Sequence, residues 1–391
     1  MSTEAVSGGL ASVERLYRNR AEGSLELKSQ GKKIMGYFYC LTPIEMLTAF
    51  GLVPHRVTGS TMEPAVESDA YLETNACSFV HSCLDLVIRR QYDFLDGFIV
   101  PHSCDHFTKA YPVFKYHFNL PYSLFLNVPH LSDESSINFF KMELEGFKRS
   151  LEKFTQNEYS AEKLKDAIRL HNRNRALVRD LYELRKYDPP RISGSEIVKV
   201  LTAAMRLPVE ESNDLIKSVI NEVEGRDTAQ PTENIRLLIY SPVIDESPLM
   251  ELIEECKSDV VMDVLCSGSM NYFSDIEITE DPLDGIAQYY LEILSPRTYN
   301  KPRIGSHQED VENRFAYIYD YTKEFNAHAV ILYALRHCEV FGFDLPDVRD
   351  YLQSKGLLVL VIEDEYSMTS TARLRTRIEA FIESVHQSKG R

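Results

Sequence analysis

The strongest constraint on the fold is an alternation of short apolar runs with helix-length segments, which occurs in two separate parts of the chain. In the first part the apolar runs cover residues 33–40, 95–101 and 122–128. In the second part they cover residues 236–240, 259–265, 327–335 and 357–362. Parallel strands are buried on both faces and are joined by crossover helices, so they produce this pattern. The sequence therefore predicts an α/β fold with two doubly wound, Rossmann- or flavodoxin-like parallel-sheet halves, each of about four strands.

The segments outside these two parts are predicted to be helical. Residues 1–32 form an N-terminal helical segment, in which an amphipathic helix covers residues 10–30. Residues 132–232 form an insertion between the halves, with helices over residues 133–154 and 160–187. The predicted domains are 1–32, 33–131, 132–232 and 233–391.

Composition excludes several classes of partner. The 391 residues carry a net charge of −16, which argues against a general affinity for nucleic acid or anionic lipid. No apolar run approaches the roughly 20 residues that cross a bilayer, so no membrane association is expected. The N-terminal residues lack the apolar stretch of a secretory signal, and we expect a cytoplasmic protein.

Seven cysteines are the residue type most suggestive of chemistry. They lie at positions 40, 77, 83, 104, 256, 266 and 338. Their odd number and wide spacing do not suggest a disulfide framework. No C-x-x-C pair occurs, which argues against a zinc ribbon or a ferredoxin-type run.

Three of these cysteines fall where cofactors bind in parallel α/β proteins. Cys104 and Cys338 follow predicted strands, and Cys77 opens a predicted helix. Ligands bind at the carboxyl ends of parallel strands, and a helix N-terminus stabilises a thiolate. However, Cys40 and Cys266 also fall at predicted strand ends. Position alone leaves open which of them bind a cofactor, because a free cysteine is most often a packed small side chain.

A series of short motifs, in order along nearly the whole chain, carries a family resemblance. They are Gly36-Tyr-Phe-Tyr-Cys-Leu-Thr-Pro-Ile-Glu45, Cys77-Ser-Phe-Val-His-Ser, Leu95-Asp-Gly97, Ser103-Cys-Asp105, Asn172-Arg-Asn-Arg175, Glu183-Leu-Arg-Lys186, Asp263-Val-Leu-Cys266-Ser-Gly268, Asp281-Pro-Leu and the closing run 375–383. The chain resembles the family that contains 2-hydroxyacyl-CoA dehydratase subunits and ATP-dependent benzoyl-CoA reductase subunits.

The resemblance implies a cofactor and partners. In this family, three cysteines of each catalytic subunit bind a [4Fe–4S] cluster, and by motif these are Cys77, Cys104 and Cys338. It also implies a CoA-thioester substrate, a paralogous second catalytic subunit and a separate ATP-hydrolysing iron–sulfur activator. The chain has no G-x-x-x-x-G-K-[ST] motif, consistent with ATP being bound by the activator.

The resemblance leaves three functions open. The spacing of 27 residues between Cys77 and Cys104 looks closest to the smaller catalytic subunit of an aryl-CoA (benzoyl-CoA type) reductase. The alternatives are a 2-hydroxyacyl-CoA dehydratase subunit and a non-catalytic [4Fe–4S] electron-transfer homologue. The chain departs from the family at residues 240–244 and 295–297.

Several further side chains are candidates for proton handling or phosphate binding. Glu45 begins a predicted helix beside a strand end, so it is a catalytic candidate, with a helix-dipole carboxylate as the alternative. The histidines at 102, 106 and 337 flank the predicted ligands, as hydrogen-bonding or protonating groups. Arg375 and Arg377 either meet CoA phosphates or lie on an ion-paired helix face, and neither is predicted to be catalytic.

Overall fold

The computed structural model describes residues 8–226, 232–294, 305–369 and 371–389. In the first part of the chain the elements are α1 (Gly9–Arg18), α2 (Glu22–Ser29), β1 (Lys33–Tyr37), α3 (Ile44–Ala49), β2 (Leu52–Arg56), α4 (Ser78–Ile88), β3 (Gly97–Pro101), α5 (Asp105–Phe118) and β4 (Tyr122–Leu126). Four long helices follow, α6 (Glu134–Thr155), α7 (Ala161–Glu183), α8 (Gly194–Ala204) and α9 (Val209–Glu224). The last part contains β5 (Ile235–Tyr240), α10 (Pro248–Glu255), β6 (Ser258–Val264), α11 (Pro282–Leu294), α12 (His307–Glu324), β7 (Ala329–Leu335), α13 (Glu339–Ser354), β8 (Leu358–Asp364) and α14 (Thr371–Lys389).

The strands form two four-stranded sheets with the same internal order. The first sheet runs β2-β1-β3-β4 and the second runs β6-β5-β7-β8. All paired strands are parallel. In each sheet the strand order reverses beside the first strand, between β1 and β3 and between β5 and β7, which is where doubly wound folds bind ligands. The predicted fold class, two parallel α/β halves, is confirmed.

The edge strand β2 is the element that the apolar runs did not reveal. It contains Pro54 and ends in His55 and Arg56, so it does not read as a buried run. Proline lacks the N–H that a central strand needs, and it is tolerated here because β2 pairs only with β1.

The prediction of one N-terminal helix over residues 10–30 is wrong, because the chain turns between α1 and α2. Arg20, at the turn, is largely buried, and its guanidinium bonds the carbonyl oxygen of Gly59 at 2.9 Å and the carboxylate of Glu246 at 3.0 Å. Because these contacts hold the Arg20 side chain in the interior, the backbone turns here instead of continuing as one helix.

The predicted helical insertion contains α6 to α9. Two of its helices begin at the predicted positions, since Asp133 and Ser160 are N-caps whose side-chain oxygens accept backbone N–H bonds. The α7 helix ends at Glu183, before the predicted end at residue 187. The division into four domains stays a prediction.

The two halves share one hydrophobic core. A continuous group of buried side chains includes Ile34 and Ile99 of the first sheet and Ile239 and Ile331 of the second. Each such side chain contributes roughly 1.5–3 kcal/mol when fully buried. The halves are therefore held by apolar contact as well as by the chain between them. In the described ranges, no helix combines the length and apolar character that crossing a bilayer requires.

Candidate functional site

The three cysteines selected by resemblance all cap helices. Cys77 is the N-cap of α4, Cys104 of α5 and Cys338 of α13. The first N–H groups of a helix lack intrahelical partners and carry partial positive charge, which favours an anionic ligand such as a thiolate. The helix N-terminus thus favours the thiolate form of each sulfur, although burial acts in the opposite direction at Cys77 and Cys104.

Two of these positions are equivalent in the two halves. Cys104 follows β3 and Cys338 follows β7, and these strands occupy the same place in sheets of the same order. Cys77 belongs to the first half only, at the start of the helix that precedes β3. The first half therefore supplies two sulfurs and the second half supplies one.

The structure brings all three cysteines to one cavity of about 40 Å³ between the halves. Most of its wall is apolar and aromatic. Among its lining residues are Tyr39, Phe79, Phe107, Pro242, Val243 and Phe341. Pro242 and Val243 belong to the segment after β5 where the sequence departs from the family, so this departure lies at the site. The second departure, residues 295–297, lies outside the described residues.

The cysteine thiols affect one another electrostatically. A hydrogen bond with Cys338, together with burial, raises the pKa of Cys77 well above its ordinary value. Burial raises the pKa of Cys104 to about 11. Among the described residues, no group of three or more His, Cys, Asp or Glu side chains has the arrangement of a single-metal site.

The three flanking histidines occupy different environments. His106 lines the cysteine cavity, and its Nε2 lies 3.9 Å from a carboxylate oxygen of Glu339. The ring of His102 contacts that of His130 in a tilted arrangement, with the ring centroids 4.4 Å apart, and burial lowers the pKa of His102. His337 lines a separate cavity of about 270 Å³. Of the three, only His106 lines the cysteine cavity.

Glu45 is a fully buried carboxylate that joins three helices. It lies in the first turn of α3, forms an ion pair with Arg175 of α7 and accepts a hydrogen bond of 2.8 Å from the hydroxyl of Tyr290 of α11. Burial is the largest single influence and opposes ionisation, but the charge and hydrogen bond of Arg175, together with His171 and a backbone hydrogen bond, hold the pKa of Glu45 below its ordinary value. At neutral pH, Glu45 is therefore a carboxylate and a potential proton acceptor. Its catalytic role stays a prediction.

Sequence reasoning missed the partner of Glu45. Arg175 lies in the quoted Asn172–Arg175 motif, but nothing in the sequence connected it to a residue far away in the chain. Its other contacts are the Tyr289 hydroxyl and the Asn172 side-chain oxygen, each at 3.0 Å. Arg175 is thus a buried residue that connects α3, α7 and α11.

The remaining candidates have structural contacts. Arg375 pairs with Glu255 at 2.5 Å on the surface, and Arg377 donates to the Val361 carbonyl at 2.8 Å. Cys256 is the C-cap of α10, and its thiol donates to the Leu252 carbonyl of that helix at 3.2 Å.

Comparison with known proteins decides the family. The family model described as "2-hydroxyglutaryl-CoA dehydratase, D-component" matches residues 39–385. The chain belongs to this family. Several known proteins are similar to the chain over most of their length at low identity. The (R)-phenyllactyl-CoA dehydratase beta subunit of Clostridium sporogenes is 23% identical, covering 92% of this chain and 93% of that protein.

Two further relatives have different printed activities. A subunit of the benzoyl-CoA reductase of Thauera aromatica is 24% identical, with 82% of each chain covered. The (R)-2-hydroxyglutaryl-CoA dehydratase beta subunit of Acidaminococcus fermentans is 22% identical, covering 92% of this chain and 94% of that protein. Membership in the 2-hydroxyglutaryl-CoA dehydratase D-component family is therefore shown, whereas these relatives include both dehydratases and a reductase.

Proposed function

We propose that this chain is an iron–sulfur catalytic subunit that acts on a CoA thioester, and that Cys77, Cys104 and Cys338 bind a [4Fe–4S] cluster. The observation that carries the proposal is the meeting of three helix-capping cysteines, from both halves, at one cavity. The family membership supports it, because the relatives are named as subunits of enzymes of CoA thioesters.

The residues at the cavity fit such a cluster by their chemistry. Thiolate sulfur is the ligand of iron–sulfur clusters, whereas calcium and magnesium prefer oxygen. Three protein ligands leave one iron of a four-iron cluster without a cysteine. Bound there, the cluster would supply electrons at low potential.

The protein's own part is to hold the thiolates, exclude water and manage protons. The helix N-termini at the three cysteines favour anionic sulfur. The aromatic wall, which includes Phe79, Phe107 and Phe341, keeps the site apolar. Glu45, which Arg175 keeps ionised, is proposed as a proton acceptor for the bound thioester.

Within this function we favour an aryl acyl group. Aromatic side chains pack well against an aromatic ring in offset or edge-to-face arrangements. The leading reaction is ATP-dependent reduction of an aryl-CoA of the benzoyl-CoA type. The second candidate is dehydration of a 2-hydroxyacyl-CoA, because two relatives that match over more than nine-tenths of their length are named dehydratase beta subunits. Either reaction calls for a paralogous second subunit and an ATP-hydrolysing activator.

Cluster binding is tested by metal analysis of anaerobically purified protein. We expect about four irons and four sulfides per chain, as in a [4Fe–4S] cluster, together with its low-temperature electron paramagnetic resonance signal after reduction. Cys77→Ser, Cys104→Ser and Cys338→Ser should each lose most of the iron. Cys83→Ser is the control, since Cys83 is fully buried within α4 and does not line the cysteine cavity. Iron retained in all three variants, or absent from the reconstituted wild type, would refute the proposal.

The reaction is tested by product analysis. The chain, its second subunit and the activator are supplied with ATP, reductant and either benzoyl-CoA or phenyllactyl-CoA. A cyclic diene thioester supports the reductase, and an enoyl-CoA formed without net consumption of reductant supports the dehydratase. A protein that holds the cluster but binds neither ester is an electron carrier, and the catalytic proposal then fails.

A further inference from the structure

A second group of cysteines, Cys40 and Cys266, lies between the two halves together with Arg56. Cys40 follows β1, Arg56 is the last residue of β2 and Cys266 follows β6. The three residues thus come from the carboxyl ends of strands in both sheets. Cys40 is 4% exposed, Arg56 is 1% exposed and Cys266 is fully buried. Neither cysteine belongs to the set proposed above to bind the cluster.

Arg56 is a buried cation whose closest anionic partner is a sulfur. Its Nη2 donates to the Cys266 sulfur at 3.2 Å. Its Nε and Nη1 have no hydrogen-bond partner in the structure as described. Among the described residues, no carboxylate forms an ion pair with Arg56. A buried guanidinium without a counter-charge is strongly unfavourable, so the contact favours Cys266 as a thiolate.

Asp245, the carboxylate that acts on Arg56, does not replace Cys266 as its counter-charge. Asp245 acts on Arg56 over a longer distance, but its carboxylate accepts its hydrogen bond from the Tyr366 hydroxyl. Burial also raises the pKa of Asp245, which weakens its negative charge. Cys266 is therefore the group best placed to carry the charge that Arg56 requires.

Cys40 is the second thiol of the pair. Burial raises the pKa of Cys40, and its thiol is hydrogen-bonded with Cys266. For Cys266, burial acts in the same direction, but the bonds from Cys40 and Arg56 outweigh it, and the pKa is lowered. A thiolate and a thiol in contact form a disulfide once an oxidant has converted one sulfur to a sulfenic acid.

A small molecule can approach the pair from the side of Cys40, whose thiol contacts the fully buried Cys266. Cys40 lines a cavity of about 60 Å³ that is also bordered by Tyr37, His171 and Tyr272. A water-sized molecule needs roughly 10–15 Å³ of such space, so a peroxide can be accommodated.

We propose that Cys40 and Cys266 are a redox-active dithiol that a peroxide converts to a disulfide between the two halves of the protein. The Cys266 thiolate attacks one peroxide oxygen, the O–O bond breaks, and Cys266 becomes a sulfenic acid as hydroxide leaves and is protonated to water. The Cys40 sulfur then attacks the Cys266 sulfur, the S–O bond breaks, and a second water leaves with the Cys40 proton. Two thiols and one peroxide give one disulfide and two waters.

The pair can be followed by peptide mapping of the full-length chain. The protein is treated anaerobically with an equimolar amount of hydrogen peroxide, free thiols are alkylated, and the product is digested with trypsin without reduction. Cleavage after Lys33, Arg56, Lys257 and Arg297 gives peptides 34–56 and 258–297, each with one cysteine. We expect these two peptides to be cross-linked about tenfold more than any pair that joins Cys40 or Cys266 to another cysteine, and to separate on reduction with dithiothreitol.

Variants test the assigned roles. Cys40→Ser should stop the reaction at Cys266 sulfenic acid, which dimedone traps. Arg56→Gln should slow cross-linking about tenfold, because the thiolate loses its counter-charge. Cys83→Ser should leave the yield unchanged. The proposal is overturned if the 40–266 cross-link forms no more than random pairs in the wild type, or if dimedone does not label Cys266 in Cys40→Ser. These two readouts are independent of whether Arg56→Gln folds and of any cluster.

Discussion

Removing the positive partner of Glu45 should destabilise the protein in a way that depends on pH. In Arg175→Met, the fully buried Glu45 loses its ion pair and keeps the bond from the Tyr290 hydroxyl, a backbone hydrogen bond and the influence of His171. Breaking a buried ion pair by removing one partner costs about 3–5 kcal/mol, because the other charge is left uncompensated. The variant also loses the contact of the Arg175 guanidinium with the ring of Tyr289, 4.6 Å from its centre. We therefore expect a loss of about 3–5 kcal/mol at pH 7.

The sign of the pH effect follows from linkage. In the wild type the pKa of Glu45 lies below its ordinary value of 4.5, so the stability it contributes is fully present above pH 4.5 and is lost as pH falls through the folded value. In Arg175→Met, burial without a counter-charge raises the pKa of Glu45 above that value. Protonation then relieves the buried charge as pH falls. The loss should shrink by up to about 2.7 kcal/mol between pH 7 and pH 5, at about 1.36 kcal/mol per pH unit.

The measurement is urea denaturation at both pH values. The chain has no tryptophan, so far-ultraviolet circular dichroism is the suitable signal. The double variant Arg175→Met/Glu45→Gln is the matched control, because it has no buried charge at this position. It should be more stable than Arg175→Met at pH 7, and this gap should narrow at pH 5. An Arg175→Met loss that is equal at pH 5 and pH 7, with no recovery in the double variant, would refute the assignment of a buried ion pair.

Three further predictions concern other parts of the fold. Asp344→Leu should destabilise the second half by about 3–5 kcal/mol in urea denaturation, because the buried Arg314 loses its carboxylate; a loss under about 1 kcal/mol would contradict this. Asp133→Ala should cost about 1 kcal/mol by removing the N-cap of α6, whereas Asp133→Asn should cost much less. Burial lowers the pKa of His171 to about 4, so the His171 ring stays neutral in the folded state. As pH falls below 6.5, the ring is protonated first in the unfolded chain. The free energy of unfolding should therefore decline by about 3 kcal/mol between pH 6.5 and pH 4. Nuclear magnetic resonance of labelled histidine should show the His171 ring neutral at pH 5.5, and a protonated ring there would contradict the assignment.

Much of the fold could be predicted from the sequence because buried parallel strands are apolar on both faces. Runs such as Ala329–Leu335 are buried at every position and stand out without any tertiary information. The edge strand β2 could not be recognised, since Pro54 and two polar residues interrupt its apolar pattern. The break between α1 and α2 was also hidden, because it depends on Arg20 reaching residues far along the chain. The sequence was informative wherever local pattern alone decides the structure.

The candidate site was likewise predictable where local pattern decides it, and not where it depends on packing between the halves. The sequence indicated that five cysteines lie at strand or helix ends, and resemblance selected Cys77, Cys104 and Cys338. The contacts of Cys266 with Cys40 and Arg56 could not be predicted from the positions of the strand ends, because these contacts depend on how the two sheets pack. Glu45 was recognised as a candidate, but its ion pair with a helix of the insertion was not. Contacts between halves require the packing, which the pattern along the chain does not contain.

The arrangement of sulfurs would couple binding of the proposed cluster to the docking of the two halves. Cys77 and Cys104 belong to the first half and Cys338 to the second, so neither half alone supplies three ligands. A group bound by all three stabilises only the docked state, by an amount that grows with the ratio of its concentration to its dissociation constant. The halves also share a hydrophobic core, so docking does not depend on the cofactor alone. If the cluster binds as proposed, its loss should loosen the contact between the halves and expose the cavity, while each parallel sheet keeps its own strand pairing.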